Sequence, residues 1–145
     1  MKKLLGAIFL LLLIFNNSKS QEISNPDVII GTWLVANKDG KITIFKGQNN
    51  KYYGKLVWTN NLTKKDKRNP DPKLRDNLII GIVNLREFVF DKNENKWIDG
   101  KIYDPTTGLI YSSYIKMKSK NELQLRGYIG ISMFGRSEVW TRVEE

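Results

Sequence analysis

The chain contains neither cysteine nor histidine in 145 residues. Without cysteine there are no disulfides, no thiol catalysis and no site for lipid attachment to an N-terminal Cys, so stability must come from packing alone. Without histidine there is no Ser-His-Asp triad, no imidazole base and none of the usual His-rich zinc or iron sites. Carboxylate, lysine and tyrosine chemistry remain open. Long apolar runs are also scarce: the one present, Leu4 to Phe15, is 12 residues, short of the roughly 20 that span a bilayer.

That run has a different use. Lys2 and Lys3 precede it and Ser18-Lys19-Ser20 follows with small residues at the positions a signal peptidase inspects, so residues 1–20 read as a cleaved leader and Gln21 as the first mature residue. Residues 21–145 are then one exported domain with no membrane span, placed in the periplasm or outside the cell and expected to be monomeric. Loss of Lys2, Lys3 and Lys19 leaves 21 basic against 15 acidic residues, a net charge of +6. With no recognition helix and an exported location, that excess points away from nucleic acid and toward either an anionic envelope surface or ligand or a plain contribution to solubility. A hydrophobic content of 41% suffices for one real core.

From Val28 onward apolar and polar residues alternate, the period of strands. Eight runs follow: Val28 to Ala36, Lys41 to Lys46, Tyr52 to Trp58, Ile82 to Phe90, Lys96 to Tyr103, Leu109 to Met117, Glu122 to Ile129 and Arg136 to Val143. Asp39-Gly40, Gly47 with Asn49-Asn50, Asn93 to Asn95 and Asp104-Pro105-Thr106-Thr107-Gly108 supply the turn chemistry between them. Short links imply an antiparallel meander, and eight such strands bury one face by closing into an up-and-down barrel; a two-sheet sandwich is the alternative. The connection from Thr59 to Ile80 is too long for a hairpin. Asp71 as a cap, Pro72 at the first helical position, and Leu74 and Leu78 on one face predict a short helix there, closing one end of the barrel.

Gly31-Thr32-Trp33 near the start and Trp140-Thr141-Arg142 near the end resemble the two ends of a lipocalin-like, or calycin, barrel. In such barrels an early Gly-x-Trp places an indole at the base and a late Arg or Lys packs over it, so Gly31, Trp33, Trp140 and Arg142 form the structural signature that the resemblance implies. More specific are Asn69-Pro70-Asp71-Pro72 with Leu74-Arg75, Gly81, Trp97 with Gly100, Tyr103-Asp104-Pro105 with Gly108, Arg126-Gly127-Tyr128, and Gly135-Arg136. Together they resemble an exported bacterial family catalogued as domain of unknown function 2147, over about Ile29 to Val143. The resemblance implies a calycin-type barrel and carries over no catalytic residues and no cofactor.

Candidate binding residues follow from strand parity. If Arg126, Tyr128 and Arg136 face inward, they form a basic, aromatic cluster suited to a carboxylate or phosphate head group; the alternative leaves Arg136 and Glu138 outside in a structural network. Tyr103 and Tyr111, with Tyr114, flank the Asp104–Gly108 turn and are candidate pocket-lining aromatics, while Tyr52, Tyr53 and Trp58 offer stacking surfaces for a sugar or plain core filling. Asp66, Asn69, Asp71 and Asp76 supply oxygens, but not at the spacing of a calcium loop, and no metal is assigned. A carboxylate pair, Asp99 with Asp104 or Glu138, is the remaining basis for hydrolysis. The leading expectation is a non-catalytic binder of a small amphiphilic or hydrophobic molecule. An envelope interaction module using the Lys64 to Arg68 loop is second, and a carboxylate-dependent hydrolase third.

Overall fold

The computed structural model describes residues 21–131 and 133–144; the expected leader lies outside them. The alternating runs form eight strands, β1 Gly31–Leu34, β2 Gly40–Lys46, β3 Tyr52–Thr59, β4 Val83–Asp91, β5 Lys96–Asp104, β6 Leu109–Ser119, β7 Glu122–Tyr128 and β8 Gly135–Arg142. Each pairs antiparallel with its sequence neighbour, and β8 returns to β1 to close an up-and-down barrel. That last seam is short, with only Trp33↔Arg142 and Leu34↔Thr141 in register.

One end is sealed. Val28-Ile29-Ile30 was expected to open the first strand, but Asn25-Pro26-Asp27 redirects it: the Asn25 side chain accepts from the Asp27 amide at 3.0 Å, proline occupies the first helical position, and Pro26–Ile29 becomes a 3-10 turn. The turn carries the buried Ile29 into the barrel base, where its carbonyl accepts from Trp33 Nε1 at 2.9 Å. Ile42, Ile44, Tyr52, Phe88, Trp97 and Leu123 join the same core. Tyr52 meets Trp97 edge-on at 6.2 Å and donates its hydroxyl to Asp27 Oδ1 at 2.6 Å. That bond, with Lys46 beside it, holds the Asp27 carboxyl below its ordinary range.

The strands do not alternate strictly. In β4, Leu85 and Phe88 both point inward; in β5, Trp97 and Gly100 do. Glu87 and Asp99 take φ values of 64 and 59, and both lie between the aligned pairs Arg86↔Lys101 and Val89↔Ile98. Both strands thus change inward parity together while their register stays in step. Two non-glycine residues in the left-handed region cost about 1 kcal/mol or more each, and the offsetting gain is the seating of the buried Phe88 ring against Gly100.

The β3–β4 connection does not contain the expected helix or lid. Asp71 does cap, accepting from the Lys73 amide at 2.9 Å, but only a 3-10 turn, Pro72–Leu74, follows. Leu74 and Leu78 are exposed, and the anchors are instead the buried Ile79 and Asp66. The backbone of Gly81 and Ile82 then bonds to Leu56 of β3, and the backbone of Arg68 lies against Gly108, where a Cβ would sit 2.0 Å from the Arg68 carbonyl oxygen.

Candidate ligand-binding cavity

The end opposite the 3-10 turn, where β1–β2, β3–β4, β5–β6 and β7–β8 are joined, opens into a cavity of about 690 Å³. Its wall is built by inward residues near that end: Ile102 of β5, Tyr111 of β6, Leu125 and Gly127 of β7, and Arg136, Glu138 and Trp140 of β8. No residue of the 59–80 connection lines it, so the connection does not lid the mouth. The barrel is therefore packed at its sealed half and hollow at the other.

The buried Leu123, Leu125 and Trp140 fix the faces of the last two strands. Leu123 pairs with Trp140 and Gly127 with Arg136, so Arg136 and Glu138 share the inward face of Trp140 and line the cavity. Glu138 Oε2 accepts from Trp140 Nε1 at 3.3 Å. Arg136 has no hydrogen-bond or ion-pair partner among the described residues. The expected inward trio is not assembled, because Arg126 pairs with Ser137 on the other face. Its guanidinium donates to Ser137 Oγ at 2.9 Å and to the Met133 carbonyl at 3.2 Å, bracing the β7–β8 hairpin. Tyr128 lies at the rim, opposite Gly135.

Both tyrosines near the β5–β6 turn line the cavity, but the hydroxyl of Tyr103 is committed elsewhere. It donates to Asp66 Oδ1 at 2.5 Å, and Asn69 Nδ2 donates to the other carboxylate oxygen at 2.7 Å, so this pair ties the long connection to β5. Burial, then the Asp66 carboxylate, pushes the Tyr103 hydroxyl up to about 12. A tyrosine raised above its unfolded value of 10.0 contributes stability that is complete below that value and is lost as pH rises through about 12. Alkaline unfolding should therefore steepen between those limits. In Tyr103→Phe, whose stability at neutral pH should fall because Asp66 loses its donor, this share of the alkaline slope should vanish. Urea midpoints followed against pH check both.

The other candidates disperse. Tyr53 stacks on Phe45 at 5.8 Å, Trp58 lies under Lys41 at 5.3 Å and Tyr114 under Lys96 at 4.4 Å, so none joins Tyr52 on a common stacking face. Asp76 pairs with Lys65 and Lys67 at 3.3 and 2.7 Å, and, with Asp66, Asn69 and Asp71 bonded as above, each of the four oxygen-bearing candidates has its own partner. Asp99 is exposed on the β4–β5 kink and does not line the cavity. Asp104 holds its own turn, accepting from the Thr106 amide at 2.8 Å and from Thr107 Oγ1 at 3.1 Å.

Several wall residues were missed, among them Ile102, Leu125, Phe134 and Asn84. Asn84, at the start of β4, lines the cavity with its Oδ1 buried and without a hydrogen-bond partner among the described residues. A buried acceptor left open costs roughly 1–3 kcal/mol. An asparagine beside the inward Leu85 was the available signal.

The barrel resembles a solved structure titled protein HP1028 from the human pathogen Helicobacter pylori, which belongs to the lipocalin family. The TM-score is 0.72, with 22% identity over 81% of this chain and 84% of that one. At that identity the likeness carries the fold, a lipocalin-like barrel. No curated protein matches the chain by sequence. The family model described as "Uncharacterized protein conserved in bacteria (DUF2147)" matches residues 31–142, from the first glycine of β1 to the last arginine of β8, and the chain belongs to that family.

Proposed function

We propose that this protein is a non-catalytic carrier or receptor for a small amphiphile with an anionic head. The observation that supports this reading is the hollow half of the barrel, where apolar and aromatic side chains share the wall with the polar Asn84, Asp104 and Glu138, with the unpaired Arg136 guanidinium at its mouth. Cavities of this size suit a single small ligand. The apolar part would lie against Ile102, Leu125 and Trp140, Arg136 would hold a carboxylate or phosphate through its planar fork, and Asn84 Oδ1 would accept from a hydroxyl or amide of the ligand. Export belongs to the same reading. It rests on the leader-like residues 1–20 and is checked by N-terminal sequencing of protein recovered from the envelope, which should begin at Gln21.

Calorimetry with saturated fatty acids, the matching alcohols and lysophospholipids tests the site. At about 0.8 kcal/mol per buried methylene, affinity should rise about fourfold per added CH2 until the cavity is full, and level off beyond. Arg136→Ala should weaken fatty acids and lysophospholipids by roughly 10- to 100-fold, the worth of a charge-assisted hydrogen bond, and leave alcohols unchanged. A Cβ on Gly127 would meet its nearest neighbours, Ile102 and Tyr111, at 3.7 Å, so Gly127→Leu should fold and block every ligand by filling the space. An equal loss for acids and alcohols in Arg136→Ala, or undiminished binding in Gly127→Leu, would refute the assignment.

A further inference from the structure

The two ends of the barrel differ in what they show to solvent. Among the described residues, every large apolar side chain that is at least half exposed sits at the open end: Leu62, Leu109 and Ile110 at 50–57%, and, on the β7–β8 hairpin, Ile129, Ile131, Met133 and Phe134 at 58–74%. At the sealed end the most exposed is Val28, at 42%. Of the hairpin's four, Ile129 and Phe134 also line the cavity mouth, but Ile131 and Met133 do not, and two such residues left to solvent are costly in water and are not explained by the barrel's own packing.

Charge follows the same axis. The hairpin, 129–135, contains no acidic residue, and Arg126 and Arg136 stand at its base. The β3–β4 connection at the same end adds Lys64, Lys65, Lys67, Arg68, Lys73 and Arg75 against three aspartates, of which Asp66 is buried. Apolar side chains projecting beyond cationic ones match an interface in which acyl chains lie deeper than anionic head groups. A protruding tip of this kind suits a deformable bilayer better than a second copy of the chain, whose corresponding concave feature is the cavity itself.

We infer that the β7–β8 hairpin docks this protein on anionic lipid membranes, with Ile131 and Met133 entering the acyl boundary and the mouth of the barrel turned toward the bilayer. The inference stands independently of what the cavity binds. Its test is sedimentation of the mature chain with vesicles of phosphatidylcholine and phosphatidylglycerol, compared with phosphatidylcholine alone. Wild type should partition onto the anionic vesicles, less so as salt rises. Ile131→Asp/Met133→Asp should lower that partition at least tenfold, whereas Val28→Asp at the sealed end should not. Neither Ile131 nor Met133 lines the cavity, so fatty-acid binding without vesicles should survive in the tip variant, which separates failure of docking from failure of the ligand reading. Bromine on the acyl chains should also quench a Met133→Trp reporter. Wild type remaining in the supernatant, a tip variant that partitions like wild type, or a wild-type dimer that the tip variant converts to monomer would overturn the proposal, the last by giving the surface to a second copy.

Discussion

Gly100→Ala is expected to destabilise the barrel by about 3 kcal/mol, with a fall in Tm of about 10 °C. A Cβ at this position would lie 2.1–2.3 Å from three carbons of the Phe88 ring, and that ring is buried with nowhere to retreat. Either Phe88 leaves its place in the core, or β4 and β5 part at the kink where Glu87 and Asp99 lie. A double-mutant cycle separates the steric clash from a general weakening of the strand: in a Phe88→Leu background the same alanine should cost far less, a coupling of about 1–2 kcal/mol. Urea unfolding of the four proteins supplies the numbers. A Gly100→Ala protein as stable as wild type would show that the ring does not depend on the missing side chain.

Arg142→Ala should cost about 2–4 kcal/mol. The guanidinium lies 4.2 Å over the Trp33 ring and donates to three carbonyls, those of Val28 at 2.6 Å, Ile30 at 3.0 Å and Lys120 at 3.0 Å. One side chain thus fastens the 3-10 turn, β1, β8 and the β6–β7 turn across a seam with two residue pairs in register. Charge-assisted bonds are worth about 1.5–3 kcal/mol each when shielded, and partial exposure to water reduces the total. Arg142→Lys should recover less than half of the loss, because a single ammonium keeps the charge over the ring but cannot reach three carbonyls in a fork. Gly31 belongs to the same arrangement. Its φ of 136 and the 2.8 Å between a Cβ built there and Arg142 Nη1 leave no room for a side chain. Full recovery by lysine would reduce the role to charge alone.

Much of this was legible in the sequence because period two and turn chemistry agree in most of the chain. Asp39-Gly40, Asn93 to Asn95 and Asp104 to Gly108 end their strands where the structure does, within a residue or two. The first run misled because Val28-Ile29-Ile30 has strand composition, while the deciding signal, Asn25-Pro26-Asp27, lies just before it. Leu74 and Leu78 suggested a packed helix by spacing, yet the single buried isoleucine beside them, Ile79, carries the packing. The kink in β4 and β5 was hidden because Glu87 and Asp99 do not announce a left-handed backbone as glycine does. For the site, parity alone left two faces open, but Trp140 shares parity with Arg136, and an indole favours the interior even though the exposed Trp58 departs from that preference. That reasoning puts Arg136 inside and Arg126 outside, as the register does.

The seam between β1 and β8 has a consequence for handling the molecule. β1 begins and β8 ends at the sealed end, so the chain enters and leaves the barrel on the side away from the cavity. A purification tag, a fluorescent fusion or a tether to a solid support attached before Gln21 or after Glu144 would hang from the plugged end. The mouth would stay unobstructed, and an immobilised layer of the protein would present its openings outward.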